Sequence, residues 1–129
     1  MENISIEGTD SLPEIDFDFS LSRFLIGGYS FPENVKVFYD PVITPLEVYL
    51  SSLEGGEVEF NISFIYFHSS TAQILYNLFD ALDSCAANGN SVTVNWHYET
   101  GDEDMQEAGE DFGEDLENAR FQLHEIDPA

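Results

Sequence analysis

The chain has almost no positive charge. Among its 129 residues only Arg23, Lys36 and Arg120 are basic, against 26 acidic ones, for a formal net charge of −23. Nucleic-acid binding needs clustered Lys and Arg to neutralise phosphates, and three scattered cations cannot form such a patch. Docking on an anionic membrane surface is excluded by the same reasoning. Cysteine is equally scarce. Cys85 stands alone, which excludes an internal disulfide and a Cys-based zinc site. No apolar run approaches the roughly 18 residues of a membrane span. The opening MENISIEGTDSLPEI lacks the basic segment and apolar run of a secretory signal, so a cytoplasmic location is expected. Neither a repeat nor a linker divides the sequence, and residues 1–129 are expected to form one domain.

What is present suffices for a core. Hydrophobic residues make up 43% and aromatics 14% of the chain, too much for a disordered protein despite the charge. The acidity itself has two readings. It keeps the protein soluble, and it would attract a basic protein partner at long range, with an on-rate that falls as salt rises.

Hydrophobic periodicity gives the elements. Ile15, Phe17 and Phe19 alternate with Asp16, Asp18 and Ser20, the period-2 pattern of a half-exposed strand. Leu21 to Ile26 reads as a second strand ending at Gly27-Gly28, close enough to pair antiparallel with the first. Pro32 and Pro41 each suit a first helical turn, and Asp40 could cap the second start. Thr44-Pro45-Leu46-Glu47 has the spacing of a capping box with proline at the first helical position. A helix kinked or irregular near its prolines is therefore expected, with Leu46, Leu50 and Leu53 on one face and Gly55-Gly56 as its stop.

Val58 to Tyr66 alternates again, and its end, Phe64-Ile65-Tyr66-Phe67, is apolar on both faces. That pattern predicts a central strand with layers on each side. A helix over 70–87 follows, burying Leu75, Leu78, Phe79 and Leu82 and ending at Asn88-Gly89. Val92, Val94, Trp96 and Tyr98 mark another strand. Met105, Ala108, Phe112 and Leu116 mark an amphipathic acidic helix, and Arg120 to Ile126 a short final strand. The order predicts an α/β domain with helices packed on a mixed sheet, the strand-helix-strand unit 57–98 being parallel and right-handed.

Enzyme and metal motifs fail. There is no Walker segment, and Gly28-Tyr29-Ser30-Phe31-Pro32 has proline where a hydrolase elbow needs its second glycine. His68, His97 and His124 lack ligand spacing. Asp102-Glu103-Asp104 begins like a calcium loop, but Glu107 and Gly113 occupy the positions that need glycine and glutamate. No cofactor and no metal are expected, and Cys85 reads as packing. The remaining candidate is Phe67-His68-Ser69-Ser70-Thr71, where the central strand hands over to a helix. Here a hydroxyl of Ser69 or Ser70 is a natural helix cap. The same geometry would let a phosphorylated hydroxyl meet unpaired N–H groups and the positive end of the helix dipole.

Three segments in order resemble a known family: Gly28-Tyr29-Ser30-Phe31-Pro32-Glu33-Asn34, the run from Ile65 to Asp83, and Trp96-His97-Tyr98, with Gly8-Thr9 and Pro13 before them. The chain looks like a member of the SiaC family, bacterial regulatory phosphoproteins with a STAS-like fold. The resemblance implies a non-enzymatic switch in cyclic di-GMP and biofilm signalling. It implies a SiaB-like partner kinase that phosphorylates the strand-to-helix hydroxyl and a PP2C-type phosphatase that reverses this. A diguanylate cyclase with a GGDEF domain would be bound and activated by the unphosphorylated form. By position the acceptor is Ser69, with Ser70 and Thr71 as alternatives, and His68 stands where the family has asparagine. His68, Ser30, Pro32, Glu33 and Asn34 are candidates for the partner surface; a turn-shaping role for residues 30–34, through Pro32 and through backbone bonds of Asn34 or Ser30, is the competing reading. Two rival functions remain: the same fold with a different partner, such as a sigma-factor regulator, and a small enzyme using the crevice beside Ser69 and His68.

Overall fold

Alternation of apolar and acidic residues builds the first half of the sheet. In the computed structural model, which describes residues 1–128, β2 (Glu14–Asp18) buries Ile15 and Phe17 and exposes Glu14 and Asp16. It pairs antiparallel with β3 (Arg23–Ser30), Phe17 opposite Phe24. A three-residue strand unmarked in the sequence pattern, β1 (Ile4–Ile6), adds to the outer side of β2. Gly27-Gly28 does not end β3. The strand continues to Ser30, with Gly28 at φ +84 and a register shift against β4 (Glu57–Phe67), which runs parallel to β3. The positive φ suits glycine, and it lets the strand absorb an irregularity without breaking.

The segment between β3 and β4 also differs from its expectation. One continuous helix, α1 (Val35–Ser52), carries both Pro41 and Pro45 in its interior, and Asn34 is its N-cap. Thr44–Glu47 therefore lies mid-helix and caps nothing, and neither Pro32 nor Asp40 starts a helix. Each interior proline removes a backbone bond at a cost of about 3 kcal/mol. Burial of Tyr39, Val42, Ile43, Leu46 and Leu50 offsets that cost. The helix predicted over 70–87 is α2 (Ser69–Ala87), with the expected Leu75, Leu78, Phe79 and Leu82 buried and Asn88 at its end. It is followed by β5 (Ser91–Glu99), α3 (Glu103–Glu114) and β6 (Arg120–Ile126), each of the type read from the periodicity, although α3 ends before Leu116, which the pattern places on its face.

The six strands lie in sequence order, β1 to β6, antiparallel from β1 to β3 and parallel from β3 to β6. Each parallel step moves one strand in the same direction across the sheet. Crossovers of one hand that always advance the same way put every helix on one face. The expectation of a layer on each side of β4 is thus corrected. Val58, Phe60, Ile62 and Phe64 are buried beneath the helices, whereas Ile65 and Tyr66 remain 44% and 47% exposed. The open face carries a polar row instead: Asn61 Nδ2 donates to Glu59, Asn95 Nδ2 to Asn61 Oδ1 at 3.1 Å, and the His124 ring bonds Asn95 Oδ1 at 2.9 Å. His97 and His124, which the sequence offered only as separate strand residues, stack at 4.9 Å. Burial first, then the neighbouring His124, lowers the pKa of His97.

On the covered face α3 sits tightly on the sheet. Trp96 Nε1 donates to Met105 O at 3.0 Å, and a Cβ on Gly109 would fall 2.5 Å from the Trp96 ring. Asp83, on α2, accepts from the backbone N–H groups of Glu117, Asn118 and Ala119, which fixes the entry to β6. Its partial burial opposes ionisation, but these donors outweigh that and lower its pKa.

Candidate functional site

β3 and β4 are parallel neighbours, so their carboxyl ends lie side by side, Ser30 in register with Phe67. The chain leaves each end toward a helix: through Phe31–Asn34 into α1, and through His68 into α2. This shared rim brings together two of the sequence segments singled out above. Gly8–Pro13 joins them from below. There the Thr9 hydroxyl accepts from Leu12 N at 2.9 Å, and Phe31 N donates to Ser11 O at 2.9 Å.

The floor of the rim is a cluster of buried hydroxyls. Ser30 Oγ lies 2.5 Å from the Tyr39 hydroxyl and 2.9 Å from Thr71 Oγ1. Thr71 Oγ1 also donates to Ser30 O at 3.2 Å, and His68 N donates to the same carbonyl at 3.0 Å. Ser30, Thr71 and Tyr39 have relative exposures of 0%, 0% and 1%. Hydroxyls taken out of water need partners, and here each supplies another's. Burial pushes the Tyr39 phenol up to about 12, the bonds from Ser30 and Thr71 pulling weakly the other way. The cluster fastens the Phe31–Asn34 loop to the first turn of α2.

Two site expectations are corrected by this burial. Ser30 cannot border a partner surface, because its side chain has no accessible area. Thr71 cannot serve as a kinase acceptor in the folded state, for the same reason and because its oxygen is already engaged. Asn34 accepts from Val37 N at 3.2 Å and so shapes the start of α1, as the turn-forming reading held. Pro32 is half-buried and Glu33 exposed on the loop above.

The upper level of the rim is the opposite. His68, Ser69 and Ser70 are all exposed. His68 takes the cap position with extended backbone, and no side chain caps the helix. The expected capping role of Ser69 or Ser70 is therefore corrected: their hydroxyls stand in solvent at the first turn, beside backbone N–H groups that helix geometry leaves free. The rings of Phe31, Tyr66 and His68 lie within 5.4 to 6.0 Å of one another and form an aromatic shelf next to Ser69.

One signal in the sequence went unread. Residues 60–79 contain no Asp, Glu, Lys or Arg, in a chain of net charge −23, and α2 has no acidic residue in its first turn. A new negative charge at Ser69 would meet no neighbouring carboxylate on its own strand or helix.

Residues 6–126 match the family described as SiaC family regulatory phosphoprotein. An uncharacterised protein of Pseudomonas aeruginosa strain UCBPP-PA14 is 30% identical over 115 residues, covering 89% of this chain and 90% of its own. The solved structure of SiaC of Pseudomonas aeruginosa superposes with a TM-score of 0.87 at 27% identity, over 98% of this chain and all of the other. A second structure, of the diguanylate cyclase SiaD in complex with its activator SiaC from the same organism, matches with a TM-score of 0.84 at 29% identity, over 94% of this chain and 99% of the matched one.

Proposed function

Because the chain belongs to the SiaC family of regulatory phosphoproteins, we propose that it is a phosphorylation-controlled adaptor with no catalysis of its own, gated at Ser69. One observation carries this reading. Ser69 is exposed at the start of α2 and its hydroxyl is not spent on capping, while the residues beneath are locked. A phosphoserine brings a charge of about −1.5 to −2. Beside the amino end of α2 that charge gains about 0.3–1 kcal/mol from the dipole, so the domain tolerates it. The fold stays; the surface changes.

The aromatic shelf of Phe31, Tyr66 and His68 is the surface that changes most, since a doubly charged group now borders an apolar patch. A docked partner would lose contacts and face an unpaired charge. If that costs about 3 kcal/mol, binding weakens more than a hundredfold, which is enough for a switch. The partner is read as a GGDEF-domain diguanylate cyclase, supported by the structural match to SiaC in complex with the cyclase SiaD. A SiaB-like kinase would add the phosphate and a PP2C-type phosphatase would remove it, giving a cycle between docked and released forms.

The test is incubation with the cognate kinase and ATP, followed by mass spectrometry of the peptide spanning residues 68–71. Phosphate on Ser69, lost in Ser69→Ala, is the expected result. Phosphate on Ser70 alone moves the switch by one residue and overturns the Ser69 assignment. A chain left unmodified on all three hydroxyls sinks the proposal. Cyclase activation by the unmodified chain, and not by the phosphorylated one, then fixes the direction.

A further inference from the structure

The sheet ends very differently at its two edges. β1 has three residues, flanked by Glu2 and Glu7, and offers little to pair with. β6 has seven residues, no proline, and an unbroken register from Thr93↔Arg120 to Glu99↔Ile126. Among the described residues no strand lies on its other side. Thr100 N donates to Ile126 O at 2.8 Å, so Ile126 and every second residue before it turn their backbone groups toward β5. The N–H and C=O groups of Phe121, Leu123 and Glu125 therefore point outward. Leu123 and Ile126 are each 37% exposed along the same strand. Proteins usually blunt such an edge; β6 carries one charge at its start, Arg120, and one near its end, Glu125, but it is not short and has neither a proline nor a bulge within its length.

The neighbouring helix indicates what fits there. α3 carries six acidic side chains, Glu103, Asp104, Glu107, Glu110, Asp111 and Glu114, and no basic one. It lies against β6, Gly113 being pressed on the Phe121 ring. Pairing β6 with β6 of a second copy would set one α3 beside the other across the two-fold axis, acid against acid. A strand bearing Lys or Arg meets the same acids favourably. We propose that the β6 edge is a second docking surface, which takes an extended basic segment of a protein partner as a seventh strand. Main-chain bonds to Phe121, Leu123 and Glu125 supply the pairing, and the α3 acids select the charge. The edge is two strands away from β4 and its Ser69 junction, so this binding does not depend on the phosphorylation state.

The probe is a short blocked peptide alternating Lys and Val, followed by NMR hydrogen exchange on the full chain. Exchange should slow by about tenfold or more at the amides of Phe121, Leu123 and Glu125. A peptide alternating Glu and Val should have no effect. Leu123→Pro removes an outward N–H without breaking a bond to β5, which edge strands tolerate, and should cut peptide affinity by about tenfold. Should that variant not fold, Glu103→Gln with Glu110→Gln, both on exposed helix surface, should weaken binding about threefold and flatten its salt dependence. The proposal is overturned if those three amides stay unprotected, or if the acidic peptide binds equally. It is also overturned if they become protected without peptide as the chain is concentrated, or if phosphorylation at Ser69 abolishes binding.

Discussion

Ser70 and Thr71 are consecutive residues with the same functional group, yet one stands in water and the other is sealed in the core. The difference comes from a single step along α2. Ser69 and Ser70 fall on the outward side of the first turn, and Thr71 on the side that meets Ser30 and Tyr39. The upper hydroxyls are exposed to solvent and stand outside the buried network. The lower ones contribute stability and cannot react. Exposed hydroxyls thus rest on a fixed floor, so the charge that the proposed switch would add at Ser69 would alter the surface without loosening the fold.

That contrast can be broken in order of size. Tyr39→Ala should have the largest effect, about 3–5 kcal/mol in chemical denaturation, because it empties a fully buried ring position and takes one of two buried hydroxyl partners from Ser30. Next comes alkaline pH. The folded chain holds the Tyr39 proton to about 12, whereas the unfolded chain releases it near the ordinary 10. Stability should therefore be full below pH 10, fall as pH rises to about 12 by up to about 2–3 kcal/mol, and level off beyond. Tyr39→Phe should flatten this decline in a pH series of melts.

Thr71→Val should follow, costing about 1–3 kcal/mol because Ser30 loses a buried partner. Combined with Ser30→Ala it should cost less than the sum of the two single changes, since both belong to one network. The smallest effect belongs to the rim. Ser69→Ala and Ser70→Ala should each shift stability by no more than about 0.5 kcal/mol. A rim variant that destabilises as much as Thr71→Val would erase the distinction between the two levels.

The strand pattern from Glu14 onward, α2 and the acidic α3 were readable because each has a clean period of 2 or 3.6. The proline segment misled because Thr44–Glu47 is a good local helix start, and only burial of Tyr39 and Val42 in the preceding turns reveals that the helix began at Val35. β1 was invisible because three residues are too few to establish a period. At the site, the strand-to-helix junction and its hydroxyls were legible. Which hydroxyl faces the core was not, since Ser69-Ser70-Thr71 offers three adjacent candidates separated only by rotation about the helix axis.

The sequence alone determined the element types, the chemistry available at the junction and the negative field around it, because these depend on local periodicity, composition and charge. The tertiary structure decided which face of the sheet is covered and which hydroxyls are buried. Both follow from strand order: a steady advance from β3 to β6 collects the helices on one side, and the pairing of β3 with β4 sets Ser30 under Thr71. No local stretch contains that information, because it arises only when residues 41 positions apart are brought into contact.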